Sequence, residues 1–210
     1  MTDILTYITE RYHPETILLY GSFADGSNNA HSDFDALVMA EGAEQSHDAS
    51  VVAGTQLDLF VYPSAYFDQP YDCEDFVQVF DGRIALDTHG RGAALKQAVN
   101  DYLDAMPKKT AAENRAAVEW CEKMLLRMER GDAEGFFRGH WLLVDSLEIY
   151  CDERGKRYLG PKKALRQLAQ DDPEAAEVYG RALASFAPQE IAAWVRLLRT
   201  RLEVTTGGKG

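Results

Sequence analysis

Between Arg11 and Arg83 the chain has no lysine or arginine at all. Residues 1–107 hold only 4 basic side chains against 18 acidic ones, whereas residues 108–210 hold 18 and 16. A chain with a net charge of −12 repels a phosphate backbone, which argues against a non-specific nucleic-acid binder and against a polymerase acting on RNA. An acidic surface suits a cationic small molecule, and it suits plain solubility at least as well. Cysteine is also scarce. Cys73, Cys121 and Cys151 are odd in number, far apart and without a Cys-x-x-Cys, so they fit reduced thiols in a cytosol rather than a disulfide framework or a zinc site. No apolar run approaches the ~20 residues that span a bilayer. Met1-Thr2-Asp3 brings neither the basic flank nor the apolar core of a secretory signal, so a cytoplasmic protein without a membrane partner is expected. Gly-x-x-x-x-Gly-Lys-Ser/Thr, Gly-x-Gly-x-x-Gly, His-Glu-x-x-His and Gly-x-Ser-x-Gly do not occur, which removes P-loop, dinucleotide-binding, zinc-protease and serine-hydrolase chemistry. Repeats and low-complexity tracts are missing as well.

What is present is ordinary in bulk: 46% hydrophobic and 27% charged residues describe a soluble globular chain, and 210 residues suffice for one large domain or two small ones. The informative stretch runs from Ile17 to Val38. Ile17 to Tyr20 has the length and composition of a buried strand, and Gly21-Ser22 breaks it. Gly21 lets the backbone approach a ligand closely, and Ser22 offers a hydroxyl and, at the start of a helical turn, N–H groups for an anion. After Gly26 and a polar loop the chain re-enters an apolar stretch carrying Asp33 and Asp35. On a strand these two project to one face, about 7 Å apart along the backbone. Adjacent carboxylates repel unless a cation lies between them, which suits Mg2+ arriving with substrate phosphates.

Gly21-Ser22, Gly26 and Ser32-Asp33-Phe34-Asp35 resemble the pattern of the nucleotidyltransferase (polymerase-beta-like) superfamily: Gly-Ser, a nearby Gly, then Asp-x-Asp. In Gln56-Leu57-Asp58-Leu59-Phe60-Val61, Asp58 looks like the third carboxylate that this superfamily places on a neighbouring strand. The resemblance implies Mg2+ on Asp33 and Asp35, triphosphate against Gly21 and Ser22, and Asp58 as either a third metal ligand or the base that takes the acceptor's proton. His31 and Asp25 read as polar surface beside the turn.

Taken in order, Asp3–Tyr12 reads as a helix ended by His13-Pro14, followed by the strand and turn. A second strand covers 33–39, Glu41 to Ser50 reads as a loop, and Val51-Val52 with Leu57 to Tyr62 reads as one long or bent strand. Asp58, Phe60 and Tyr62 would share the face opposite Leu57, Leu59 and Val61. The segment from Tyr66 to Glu74 reads as irregular, with its acids in solvent. Phe76 to Phe80 and Ile84 to Leu86 flank the turn signal Asp81-Gly82. Met106-Pro107-Lys108-Lys109 is the best boundary, giving a catalytic domain over 1–107 and a helical, substrate-binding domain over 108–210. Five helices are expected there: 111–130, 133–153, and three opened by Pro161, Pro173 and Pro188, the last ending near Val204. The tail from Gly207 to Gly210 reads as disordered.

The fold class is thus α/β (α+β), a nucleotidyltransferase domain with a small mixed sheet, followed by an all-α bundle. Compact nucleotidyltransferases of the aminoglycoside-modifying kind, which this layout resembles, pair the same two halves. On the second helix of the bundle Trp141, Asp145, Glu148 and Asp152 fall at i, i+4, i+7 and i+11 on one face. Such a stripe reads equally as a solvated face or as a seat for a cationic acceptor, with Asp145 or Glu148 as general base. Lys162 and Lys163, in the basic run from Arg154 to Arg166, stand at a helix start where cations are unfavourable, and are assigned to the triphosphate. The leading expectation is a Mg2+-dependent enzyme moving AMP from ATP to a hydroxyl of a small, aminoglycoside-like molecule. The alternative is an antitoxin-like nucleotidyltransferase that binds or adenylylates a partner protein. A homodimer is left open as its assembly.

Overall fold

The computed structural model describes residues 1–207, so the expectation for Gly208 to Gly210 lies outside the described residues. Two compact units divide the chain, Met1–Met106 and the remainder from Pro107.

The first unit is a mixed sheet clothed by helices. Helix α1 (Thr2–Tyr12) buries Ile4 and Ile8 and stops at His13, which adopts a left-handed conformation before Pro14. Strand β1 (Thr16–Leu19) is buried at every residue, as expected of the middle of a sheet with both faces covered. It lies between β2 (Phe34–Ala40) and β6 (Arg83–Asp87), antiparallel to both. The order is β3-β5-β2-β1-β6, where β3 is Ser46–Asp48 and β5 is Thr55–Pro63, and β4 (Val51–Val52) pairs with β5 off this path. Strands β2 and β5 run parallel, with Asp35 level with Asp58 and Ala40 level with Pro63.

Alternation along the strands divides the core. Ile17, Leu19, Phe34, Ala36, Val38, Leu57, Leu59 and Val61 pack with Ile4 and Ile8 on one face. Leu18, Tyr20, Leu37 and Met39 face the other way, against Phe76, Val79 and the Leu95, Val99 and Leu103 side of α3 (Arg91–Ala105). Asp35 and Asp58 stand on this second face, where the alternation turns polar.

Four local expectations are corrected. Val51-Val52 and Thr55–Pro63 form a hairpin rather than one strand: Ala53 and Gly54 both take positive φ (50° and 80°), the tight two-residue reversal that right-twisted strands favour. Within the segment read as a loop, Ser46–Asp48 pairs with β5 as an edge strand. Phe76 belongs not to a strand but to a 3-10 segment, Cys73–Val79, opened by the Asp72 carboxylate accepting from the Glu74 amide. The stretch from Tyr66 to Glu74 is ordered by aromatic edge contacts among Tyr62, Tyr66, Phe67, Tyr71 and Phe76, with centroids 5.1–6.1 Å apart.

The regular elements described in the second unit are all helices: α4 (Ala111–Met128), α5 (Ala133–Glu153), α6 (Pro161–Asp171), α7 (Pro173–Ser185) and α8 (Pro188–Gly207). Their starts are written in the sequence. Thr110 and Glu113 form a reciprocal capping box, Asp132 caps α5, Asp172 caps α7, and Pro161 and Pro173 sit in first turns. At the centre Trp194 is fully buried and its indole N–H donates to Ser146 Oγ at 2.8 Å, satisfying both polar atoms inside the core.

Candidate active site

The candidate site grows from the end of β1. Tyr20 is still extended, then Gly21 turns to φ 63° and opens α2 (Gly21–Asp25), a five-residue helix closed by Gly26 at φ 75°. Gly21 is required twice. Its φ is left-handed, and a Cβ there would land on the Asp35 carboxylate. The carboxylate of Asp35 therefore lies directly against the turn that the sequence assigns to a phosphate. The adjoining Ser22 is buried, and the Tyr20 amide donates to the Asp35 carbonyl at 3.2 Å, locking the turn to β2. The following loop is held by its own side chains: Asp25 accepts from the Ser27 amide, Asn29 from the His31 amide, and Ser32 from the Asn29 amide.

Across the strands the side chains form a row. Tyr20 stands beside Asp35, and Asp35 beside Asp58. Burial raises the pKa of the Tyr20 hydroxyl far above its ordinary value, and the charges of Asp58 and Asp35 raise it further. Asp33 is exposed immediately before β2, one strand step from Asp35.

Asp58 has a partner that sequence reasoning missed. His47 Nε2 on β3 lies 2.6 Å from Asp58 Oδ1, and the imidazole stacks on Phe60, centroids 4.7 Å apart. The neighbouring Asp48 points elsewhere, accepting from the hydroxyls of Tyr7 (2.9 Å) and Tyr12 (2.6 Å). Burial pushes the Asp48 carboxyl up, but the combined hydrogen bonds from Ser50, Tyr12 and Tyr7 outweigh it and hold the group down at about 2.

Mg2+ asks for hard oxygen donors and takes one or two carboxylates together with substrate phosphates. Asp33 and Asp35, two residues apart at the start of β2 with the Asp35 carboxylate against the Gly21 turn, are donors of the type that ion takes. Among the described residues no three His, Cys, Asp or Glu side chains gather as a ready metal cluster, and Asp58 Oδ1 is already engaged by His47.

Glu148, Lys162 and Lys163 belong to the second unit. Trp141 is exposed, touches Trp120 edge-on at 5.4 Å and carries the Arg138 guanidinium over its ring. Farther along the α5 stripe Asp152 is paired with Lys109 at 2.6 Å, which also lies in the field of Glu148. Lys162 and Lys163 occupy the first turn of α6 behind Gly160, at φ 87°, and Pro161. Within the surrounding basic run, Arg154 and Lys156 are structural, bonding to Asp172 and Asp171. None of the described helices is long and apolar enough to cross a membrane.

Neither a family model nor a curated protein matches the chain. Among solved structures it is similar to a nucleotidyltransferase-like protein from Exiguobacterium sibiricum 255-15, at 18% identity over 99% of this chain and 77% of that one, with a TM-score of 0.39. A superposition that loose defines no common fold and lends the functional reading no weight.

Proposed function

We propose that the chain is a nucleotidyltransferase that moves a nucleoside monophosphate, AMP from ATP, onto a hydroxyl of a small cationic acceptor. The observation that supports this reading is the Asp35 carboxylate seated against the Gly21 turn and level with Asp58 on the next strand. In this reading Asp33 and Asp35 would hold Mg2+, which when bound offsets phosphate charge. Gly21 lets phosphate oxygens reach the backbone, and Ser22 beside it is assigned to the triphosphate as well. Asp58, oriented by His47, takes the proton of the acceptor hydroxyl as its oxygen bonds to the α-phosphorus and pyrophosphate departs. The first unit has few cations, so Lys162 and Lys163 are assigned to the leaving phosphates. Glu148 and its neighbours on α5 are assigned to a cationic acceptor, an aminoglycoside-like antibiotic being the reading carried by resemblance and charge.

Incubation with labelled ATP, Mg2+ and a panel of aminoglycosides tests the proposal. A labelled acceptor formed by the parent and not by Asp35→Asn supports it. ATP that binds with no transfer to any hydroxyl compound or protein overturns the enzymatic reading.

A further inference from the structure

The inner face of α5 serves the core of the helical unit through Leu142, Leu143, Leu147 and Tyr150. Its outer face should then be polar. Instead Phe137, Trp141 and Val144 stand there in the open, Phe137 at 63% and Val144 at 65% exposure. At i, i+4 and i+7 they form one stripe, and Glu148 continues it at i+11. Single exposed apolar residues need no explanation, but a run of bulky ones along one helix face marks a surface that something covers.

The stripe is ordered by its own neighbours. Trp141 meets Trp120 of α4 edge-on, 5.4 Å between centroids, and Phe137 at 6.2 Å. Arg138 lays its guanidinium 5.4 Å from the centre of the Trp141 ring, and holds Glu134 only at the 3.5 Å limit of a hydrogen bond. Two turns farther along the same edge stands the half-buried Asp145. That edge thus carries a cation toward one end and an anion toward the other.

Spacings of four, three and four residues are those of a coiled-coil seam, with Trp141 at an a position, Phe137 and Val144 at d, and Arg138 and Asp145 both at flanking e positions. A two-fold axis passing between Leu142 and Leu143 lays this seam antiparallel on itself. Trp141 then falls level with Val144 of the second copy, large against small. Arg138 comes to about 3 Å, along the axis, from level with the second copy's Asp145, and the symmetry repeats the pair at the other end. A parallel pairing would instead set Arg138 level with Arg138 and Asp145 level with Asp145. The order of charge along α5 therefore fits α5 itself, turned end for end. A lipid surface fits poorly, because Asp145 and Glu148 border the stripe where a membrane-lying helix carries Lys and Arg.

We propose that the outer face of α5 is the contact of a two-fold symmetric homodimer, in which two antiparallel copies of the helix exchange reciprocal Arg138–Asp145 pairs. The inference is independent of the nucleotidyl-transfer reading. The two share Glu148, which lies at the end of the seam, level with Phe137 of the second copy. A seam of two helices is small beside the ~800 Å² per partner of a standard interface, so a reversible monomer–dimer equilibrium is expected.

Sedimentation equilibrium of the whole chain across a range of concentrations tests the proposal, with circular dichroism to show that each variant is folded. Arg138→Glu alone and Asp145→Arg alone each create two like-charge contacts across the axis, and should weaken self-association about 10-fold or more. Mixed one to one, the two variants regain opposite charges at both contacts and should associate with each other about as tightly as the parent with itself. Val144→Asp, at a position too exposed to matter to the fold, should leave the chain monomeric. A parent that stays monomeric, single variants that dimerise like the parent, or a mixture that fails to associate would each overturn the proposal. A monomer in which Val144→Asp weakens the binding of an aminoglycoside would give this face to the small molecule, and would overturn it too.

Discussion

His47 Nε2 donates to Asp58 Oδ1 across 2.6 Å, joining the edge strand β3 to the strand that carries the third carboxylate. The contact fixes which way Asp58 faces and leaves Oδ2 as the atom free of the imidazole. That division suits a carboxylate used as a proton acceptor better than one wrapped around a metal.

Asp58→Asn should accordingly lower turnover about 10²–10⁴-fold while ATP affinity and the Mg2+ dependence stay near those of the parent. His47→Ala should give a smaller loss in kcat with KM for ATP unchanged. A Mg2+ titration displaced to much higher concentration in Asp58→Asn would instead make Asp58 a ligand.

Asp33→Ala and Asp35→Asn should each abolish transfer. Asp33 is exposed ahead of β2, so its removal should leave the metal-free melting temperature unchanged. Near-parental activity in both variants would remove the metal assignment.

Gly21→Ala should be damaging on two counts. The left-handed backbone costs a residue with a Cβ about 1–2 kcal/mol, and the new methyl must push the Asp35 carboxylate aside. Urea denaturation should show a loss of at least that size, with activity falling further than stability because Asp35 has moved.

Glu153 lies in the core of the helical unit, 4% exposed, with neither carboxylate oxygen hydrogen-bonded. Burial raises its pKa to about 8, against the partial relief of Arg154 and Arg199. A raised acid favours the folded state while protonated. Its contribution is therefore complete below the ordinary value of 4.5, and is lost as pH rises from there through about 8. Denaturation from pH 5 to 9 should show the parent weakening across that window, and Glu153→Gln should flatten the slope.

Replacing both Lys162 and Lys163 by Ala should weaken ATP binding at low salt with little change in acceptor affinity. The difference should shrink as salt rises, because exposed charges are screened over about 8–10 Å. Unchanged ATP binding at low salt would make the pair ordinary surface charge.

The strands bearing Asp35 and Asp58 were legible in the sequence because apolar alternation places them, and the helix starts because Pro161, Pro173, Asp132 and Thr110 mark them locally. The side of β5 that carries Asp58, Phe60 and Tyr62 followed from the same alternation. His47 was hidden because its strand is three residues long, polar, and defined only by pairing with β5. Asp68 was read as solvent-facing for a similar reason: its partner Arg91 lies 23 residues away, and local sequence carries no trace of such a pair. The hairpin at Ala53-Gly54 was missed because alanine rarely takes φ of 50°, whereas the tight reversal imposes it.

The buried bond from Trp194 to Ser146 has an optical consequence. All three tryptophans of the chain, Trp120, Trp141 and Trp194, lie in the helical unit, while the first unit has tyrosine and phenylalanine only. Selectively excited indole emission therefore reports on one unit and is blind to the other. Trp194, dry and hydrogen-bonded, should emit toward the blue, and Trp141, at the surface, toward the red. A shift of the whole band during denaturation would time the loss of the helical core, and comparison with tyrosine absorbance would show whether the sheet melts with it or apart from it.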